Sequence, residues 1–259
     1  MEKPREWLRE KSIAKKVLTE SNLILEVVDA RIPIETKNKV VEDLVIERNK
    51  SLIVVLNKVD LVPREFIEKA SSLIEKDFPV VPFSAHRKFG GNELLSKIRE
   101  IAKERGILKV GVLGYPNVGK SSVINLLKGK KVATTSPKPG MTRGEVLVKL
   151  EEGIFLLDTP GIITLEYPEN LALKCAWIPE KLQLPVEVSS KLLDKIYQER
   201  PQAIKETYRV EPEEDPLITL EKIAKKLNYK AKGGELDLER TAKKVLWDWI
   251  KGFIKAYWI

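Results

Sequence analysis

The chain has 259 residues, enough for one large domain or for a medium domain with a smaller companion. A lone cysteine, Cys175, and a lone histidine, His86, exclude an intrachain disulfide and a Cys/His zinc site, so any chemistry rests on oxygen ligands, lysine and backbone. Forty-six Lys and Arg against 38 Asp and Glu leave +8, a surplus that suits a polyanionic partner as well as it suits a solvated surface.

The opening MEKPREWLRE alternates charge where a secretory signal needs an apolar core, and no apolar run reaches the ~18 residues of a membrane span. The expectation is a soluble, cytoplasmic protein with no membrane partner. Trp7, Leu8, Ala14, Val17 and Leu18 recur at helical spacing, which predicts an amphipathic helix within residues 1–20.

Six short apolar runs follow: LILEVVDA (23–30), SLIVVLN (51–57), FPVVPFSA (78–85), LKVGVLG (108–114), EVLVKLE (145–151) and GIFLLD (153–158). Helix-length charged stretches separate most of them, which predicts a mainly parallel sheet with helices on both faces over 21–172. From about 172 the pattern is helical with proline punctuation, so 173–259 is expected to be a small all-α domain.

The second run ends in NKVD (57–60). The Asp60 carboxylate suits guanine, whose N1–H and exocyclic amine both donate; adenine would place a lone pair opposite it. Asn57 is expected to brace a phosphate loop and the Lys58 stem to pack on the base. After the third run, Ser84, Ala85 and His86 offer backbone N–H groups to the guanine oxygen, with the His86 ring a bystander.

The fourth run leads into GYPNVGKSS (114–122), a glycine-rich loop that opens a helix. Its amides, from Asn117 and Val118 through Gly119 to Ser122, wrap phosphate, Lys120 reaches the β- and γ-phosphates, and the Ser121 hydroxyl suits magnesium. Thr142, in PKPGMTRG, is placed to add a second hydroxyl to the metal. Asp158 and Gly161 of LLDTPG add a carboxylate for the metal and an amide for the γ-phosphate. The catalytic set is then Asn117, Lys120, Thr142 and Gly161, with GTP or GDP and Mg2+ as cofactors.

In an ordinary nucleotide-binding G domain the phosphate loop precedes the guanine reader, whereas here NKVD precedes it. Ligands of an open α/β sheet bind at the carboxyl ends of the strands whatever order the chain visits them. A G domain opened after its Asp-x-x-Gly loop, with its old ends joined, yields this order. The fold class is therefore α/β, a circularly permuted P-loop G domain followed by a small helical domain.

The motifs VDARIP (28–33), NKVD, SAH, GYPNVGKSS, PGMT and LLDTPGI, with KGGELDLERTAKKVL (232–246) further on, resemble the circularly permuted GTPases, most closely the YlqF/RbgA/YawG group of ribosome-assembly GTPases. The resemblance, of an archaeal type, implies a GTP hydrolase acting on the large ribosomal subunit, with a C-terminal domain that contacts ribosomal RNA and not DNA, and a monomeric chain. Bacterial relatives open with a Trp-Phe-Pro-Gly-His-like segment whose histidine is assigned a part in hydrolysis; no histidine precedes residue 86 here, so that role has no counterpart.

Ile162 stands where many GTPases place a water-orienting glutamine, so the isolated chain is expected to be slow and to be stimulated by its ribosomal partner. Asn117 has two readings, a potassium ligand beside the phosphates and a loop brace. Because ITLEYPENLALK carries the chain from Gly161 into the helical domain, GTP is expected to shift residues 175–259 and so control docking. A GTP-gated binding module with incidental hydrolysis is the alternative.

Residues 237–257 are expected to form one helix. Leu238, Ala242, Val245, Leu246, Trp249, Ile250, Phe253 and Tyr257 make its core stripe, and Arg240, Lys243, Lys244, Trp247, Lys251 and Lys255 the opposite face. Arg240, Lys244, Trp247 and Lys251 are the candidate RNA contacts. Two further basic clusters are Lys222, Lys225, Lys226, Lys230 and Lys232, and, near Thr142, Lys128, Lys130, Lys131, Lys138 and Arg143.

Overall fold

The computed structural model describes residues 15–129, 147–157, 161–162 and 168–259. Thr142, Asp158, Lys130, Lys131, Lys138 and Arg143 lie outside them, as do residues 5–14 of the expected first helix. The chain divides into two compact units, Met1–Thr164 and Leu165–Ile259.

In the first unit, residues 15–20 form α1, which buries Val17 and Leu18. It is part of the sheet domain, not an appendage: a Cβ on Gly111 would meet Val17 Cγ1 at 2.6 Å and Ser21 Oγ at 2.2 Å. The strands are β1 (Leu23–Asp29), β2 (Ser51–Asn57), β3 (Val80–Phe83), β4 (Leu108–Gly114), β5 (Leu147–Glu151), β6 (Ile154–Leu157) and β7 (Gly161–Ile162). Their order is β3-β2-β1-β4-β6-β5, with β7 also paired to β4. All neighbours run parallel except β5 and β6, which form an antiparallel hairpin.

Every residue of β1 is buried, the signature of a strand covered on both faces, and its run of Leu, Ile and Val is what such a position demands. Parallel pairing forces crossovers: α2 (Pro33–Thr36) and α3 (Lys39–Glu47) join β1 to β2, α4 (Arg64–Ile74) joins β2 to β3, and α5 (Gly91–Arg105) joins β3 to β4. The apolar faces of α3 and α4 enter one cluster with Ile24, Val28, Val54 and Leu56. A sixth helix, α6 (Lys120–Gly129), follows β4.

The second unit holds α7 (Pro168–Leu173), α8 (Pro185–Glu199), α9 (Gln202–Tyr208), α10 (Pro216–Leu227) and α11 (Leu238–Lys251). The boundary expected at 172/173 falls inside α7, whereas the whole of α7 lies on the second side of the division. Trp249 is fully buried, stacks on Trp258 with ring centroids 5.3 Å apart, and donates its indole N–H to the Leu173 carbonyl at 2.8 Å.

The expected helix 237–257 is shorter than its periodicity promised. Asp237 caps α11 by accepting from the Arg240 N–H, and Gly252, at φ 77°, ends it. Beyond the cap the helical period gives way to an alternation in which Ile254, Ala256 and Trp258 are buried and Phe253, assigned to the core stripe, is 60% exposed. Ala242, Val245, Leu246 and Trp249 are buried as the helical period requires. Among the described residues no helix is long and apolar enough to cross a membrane.

Candidate functional site

Strands β1, β2, β3 and β4 run in the same direction, so their carboxyl ends share one edge of the sheet. Asn57, Ser84 and Gly114 stand at or just past three of those ends. Asn57 ties two of the loops together. Its Nδ2 donates to the Val118 carbonyl at 2.7 Å, and its Oδ1 accepts from the Ala85 N–H at 3.4 Å. The approach is close enough to dictate glycine next door: a Cβ on Gly119, where φ is +103°, would sit 2.1 Å from Asn57 Nδ2.

Asp60 lies in the 3-10 turn Val59–Leu61 directly after β2. Its Oδ1 accepts from Ser84 Oγ at 2.5 Å, and Ser84 Oγ in turn accepts from the Arg87 N–H at 3.0 Å. The His86 ring is 3.9 Å from Asp60 Oδ2 and its side chain is 87% exposed. Asp60 is thus oriented by the SAH loop, and Asn57 joins that loop to the phosphate loop.

The phosphate loop leaves β4 at Gly114, φ 148°, where a Cβ would strike the Val27 carbonyl at 2.4 Å. Asn117 takes the left-handed conformation at φ 60°. Lys120 is buried on the first turn of α6 and donates from Nζ to the Tyr115 carbonyl at 2.5 Å, curling over the loop. Ser121 and Ser122 are exposed on the same turn. Parallel pairing of Leu113 with Gly161 and of Gly114 with Ile162 sets the glycine of DTPG beside the start of the phosphate loop. The glycine cradle fits phosphate, and the Ser121 hydroxyl is a hard oxygen donor of the kind Mg2+ takes.

Sequence reasoning passed over Asp29 and Arg31. The Asp29 carboxylate accepts from the Arg31 backbone N–H and Nε at 3.0 Å each and from Nη2 at 2.7 Å, all buried. It also accepts from Lys58 Nζ at 2.7 Å. Burial opposes its ionisation, but the Arg31 guanidinium and the Lys58 ammonium outweigh burial and hold the carboxyl well below the usual carboxylate range. The signal was an acid ending a strand with a cation two residues on, inside VDARIP.

In the second unit the basic face of α11 is less bare than its sequence. Lys243 pairs with Glu239, and Lys244 with Asp248 at 2.5 Å. Trp247 donates its indole N–H to Glu180 at 2.7 Å while Lys251 Nζ stands 5.4 Å from its ring centroid. Arg240 lies over Tyr229, 4.1 Å from that centroid. These residues line a groove of about 510 Å3 in which Glu180, Asp237 and Glu239 balance Arg240, Lys243 and Lys244. Of the second cluster, Lys222 pairs with Glu213, whereas Lys225, Lys226, Lys230 and Lys232 are exposed.

A parallel sheet with a glycine-cradled lysine loop at one strand end and an Asn-Lys-x-Asp turn at another, visited in reversed order, defines a circularly permuted G domain. The 50S ribosome-binding GTPase family matches residues 109–226, from the start of β4 onward. The uncharacterized GTP-binding protein MJ1464 of Methanocaldococcus jannaschii is 40% identical over 95% of this chain and 66% of its own length. Nucleolar GTP-binding protein 2 of Neurospora crassa is 36% identical over 92% of the chain and 40% of its own length, and nuclear/nucleolar GTPase 2 of Arabidopsis thaliana is 34% identical over 93% and 43%. A GDP-bound structure of TM YlqF superposes with a TM-score of 0.68 at 24% identity, covering 94% of this chain and 96% of that one, and shares the fold. The chain belongs to the family of GTP-binding proteins that includes MJ1464 and nucleolar GTP-binding protein 2. It spans less than half the length of the nucleolar relatives.

Proposed function

We propose that the chain is a Mg2+-dependent GTP hydrolase that serves assembly of the large ribosomal subunit, acting as a cytoplasmic monomer whose GTP state controls docking to ribosomal RNA. The observation that carries the reading is the Asn57 amide, which donates to the phosphate loop and accepts from the SAH loop and so ties together the two loops to which the reading assigns opposite ends of the nucleotide. The match to a family described as 50S ribosome-binding, and the nucleolar names of the relatives, support the ribosomal part.

In this reading Asp60 accepts from the guanine N1–H and amine while Ser84 fixes its rotamer. The amides of Asn117 to Ser122 hold the phosphates, and Lys120 leaves the Tyr115 carbonyl to meet the β- and γ-oxygens. Ser121, Thr142 and Asp158 would hold Mg2+, which neutralises charge on the phosphates. The Gly161 amide is offered to the γ-phosphate. Ile162 orients no water, so turnover of the isolated chain is slow. Asn117, left-handed at the loop's turn, is the ligand proposed for a potassium ion, which would stabilise charge at the bridging oxygens.

Single-turnover GTP hydrolysis with and without large-subunit particles tests the proposal. Strong particle-specific acceleration supports it. Nucleotide-dependent binding without acceleration instead supports a GTP-gated binding module, a reading that Ile162 favours.

A further inference from the structure

Lys58 is one of seven non-glycine residues with positive φ among the described residues, at 66°. The left-handed turn sends its side chain back over β1, where Asp29 is the register partner of Asn57. The two strand ends are laced further by the Ala30 N–H donating to the Asn57 carbonyl at 2.8 Å. The Lys58 ammonium therefore meets a carboxylate whose position is already set. Three donors of Arg31 grip both Asp29 oxygens, and the Asp29 N–H donates to Thr36 Oγ1 at 3.0 Å.

Asp29 and Arg31 have no exposed surface, whereas the Lys58 side chain keeps 19%. A lysine with both its Cα and its ammonium fixed presents its methylene stem as a rigid strip, and much of the rotamer freedom that binding would otherwise remove is already gone. A neutral partner in place of Asp29 would leave the ammonium to water and the stem to many rotamers.

We propose that Asp29 is a positioning residue for nucleotide recognition: through its ion pair with Lys58 it holds the lysine stem ready for the base, with Arg31 as the buttress. This rests on the guanine-nucleotide reading of the site. The competing account is that Asp29 and Arg31 only staple the turn after β1, with Lys58 a bystander.

A double-mutant cycle separates the accounts. GDP affinity is measured for the wild-type chain, Asp29→Asn, Lys58→Met and the double variant. Asp29→Asn is expected to weaken GDP about tenfold in the wild-type background and by no more than about twofold once Lys58 is Met. Equal losses in both backgrounds would overturn the inference and assign Asp29 to the turn alone. Because Asp29→Asn leaves Arg31 buried without its counter-ion, Asp29→Asn/Arg31→Met replaces it if it does not fold, and is read by the same criterion. A wild-type chain that binds no GDP would remove the guanine reading and this inference together.

Discussion

Glu26 lies in the middle of β1 with no exposed surface, facing Glu42 of α3. Its Oε1 accepts from the Asn38 N–H at 2.7 Å, while its Oε2 and Glu42 Oε1 have no hydrogen-bond donor. Lys37 Nζ, 3.3 Å from Glu42 Oε1, compensates one charge and not two. One proton placed between the carboxyls supplies the missing donor. Burial first, and the Glu42 charge second, push Glu26 from 4.5 up to about 8. The folded state thus keeps a proton that the unfolded chain sheds above its ordinary value. The stabilisation is complete below about pH 4.5 and is lost as pH rises toward 8. Stability falls with each pH unit across that window, and between pH 5 and 8 the loss sums to roughly 3 kcal/mol. Glu26→Gln keeps the acceptor for Asn38 and donates to Glu42 without a titration. Urea unfolding of both proteins from pH 5 to 8.5 should show the variant gaining on the wild type by that amount as pH rises. Parallel curves would refute the reasoning, because the shared proton would then contribute nothing.

Gly119→Ala forces a Cβ toward Asn57 Nδ2 and strains a positive φ, so GDP affinity should fall by at least about tenfold in calorimetry and the melting temperature should drop by several degrees. Asp60→Asn exchanges one of two acceptors for a donor, which should weaken GDP by about a hundredfold and shift preference toward a xanthine nucleotide, whose C2 carbonyl accepts. Turnover in potassium should exceed turnover in sodium at matched ionic strength; equal rates would remove the ion from Asn117. For RNA binding, Lys244→Glu is a poor probe because it sets a like charge against the buried Asp248, which also accepts from the Tyr208 hydroxyl at 2.8 Å. Lys251→Glu with Lys255→Glu changes exposed residues and should lower affinity for ribosomal RNA with GDP affinity unchanged.

The sheet was legible because a buried parallel strand can be built from little but Leu, Ile and Val, and LILEVVD, SLIVVLN and LKVGVLG meet that demand. Two-residue β7 escaped notice, since no composition marks so short a strand and its pairing with β4 depends on where the DTPG loop returns. The C-terminal helix was overread because its apolar period runs on through Phe253 and Tyr257, and the left-handed Gly252 overrides a period that propensity alone would continue. The acids that offset the α11 lysines follow the same lesson. Glu239 and Asp248 lie one helical turn from their partners and could have been counted, whereas Glu180 reaches Trp247 from 67 residues away.

The site survives the rearranged chain order for a reason visible in the sheet. Strand β4, which carries the phosphate loop, lies against β1, and β2, which carries NKVD, lies on the other side of β1. The strand between the two motifs ends in Asp29, whose carboxylate reaches Lys58, and passes its Val27 carbonyl under Gly114. The NKVD turn and the phosphate loop are therefore registered through β1 and through the Asn57 amide, and neither link depends on which loop joins which helix. A permutation that keeps these strand neighbours keeps the distance between Asp60 and Lys120, so the physical constraint on this site is strand adjacency, with sequence order free to vary.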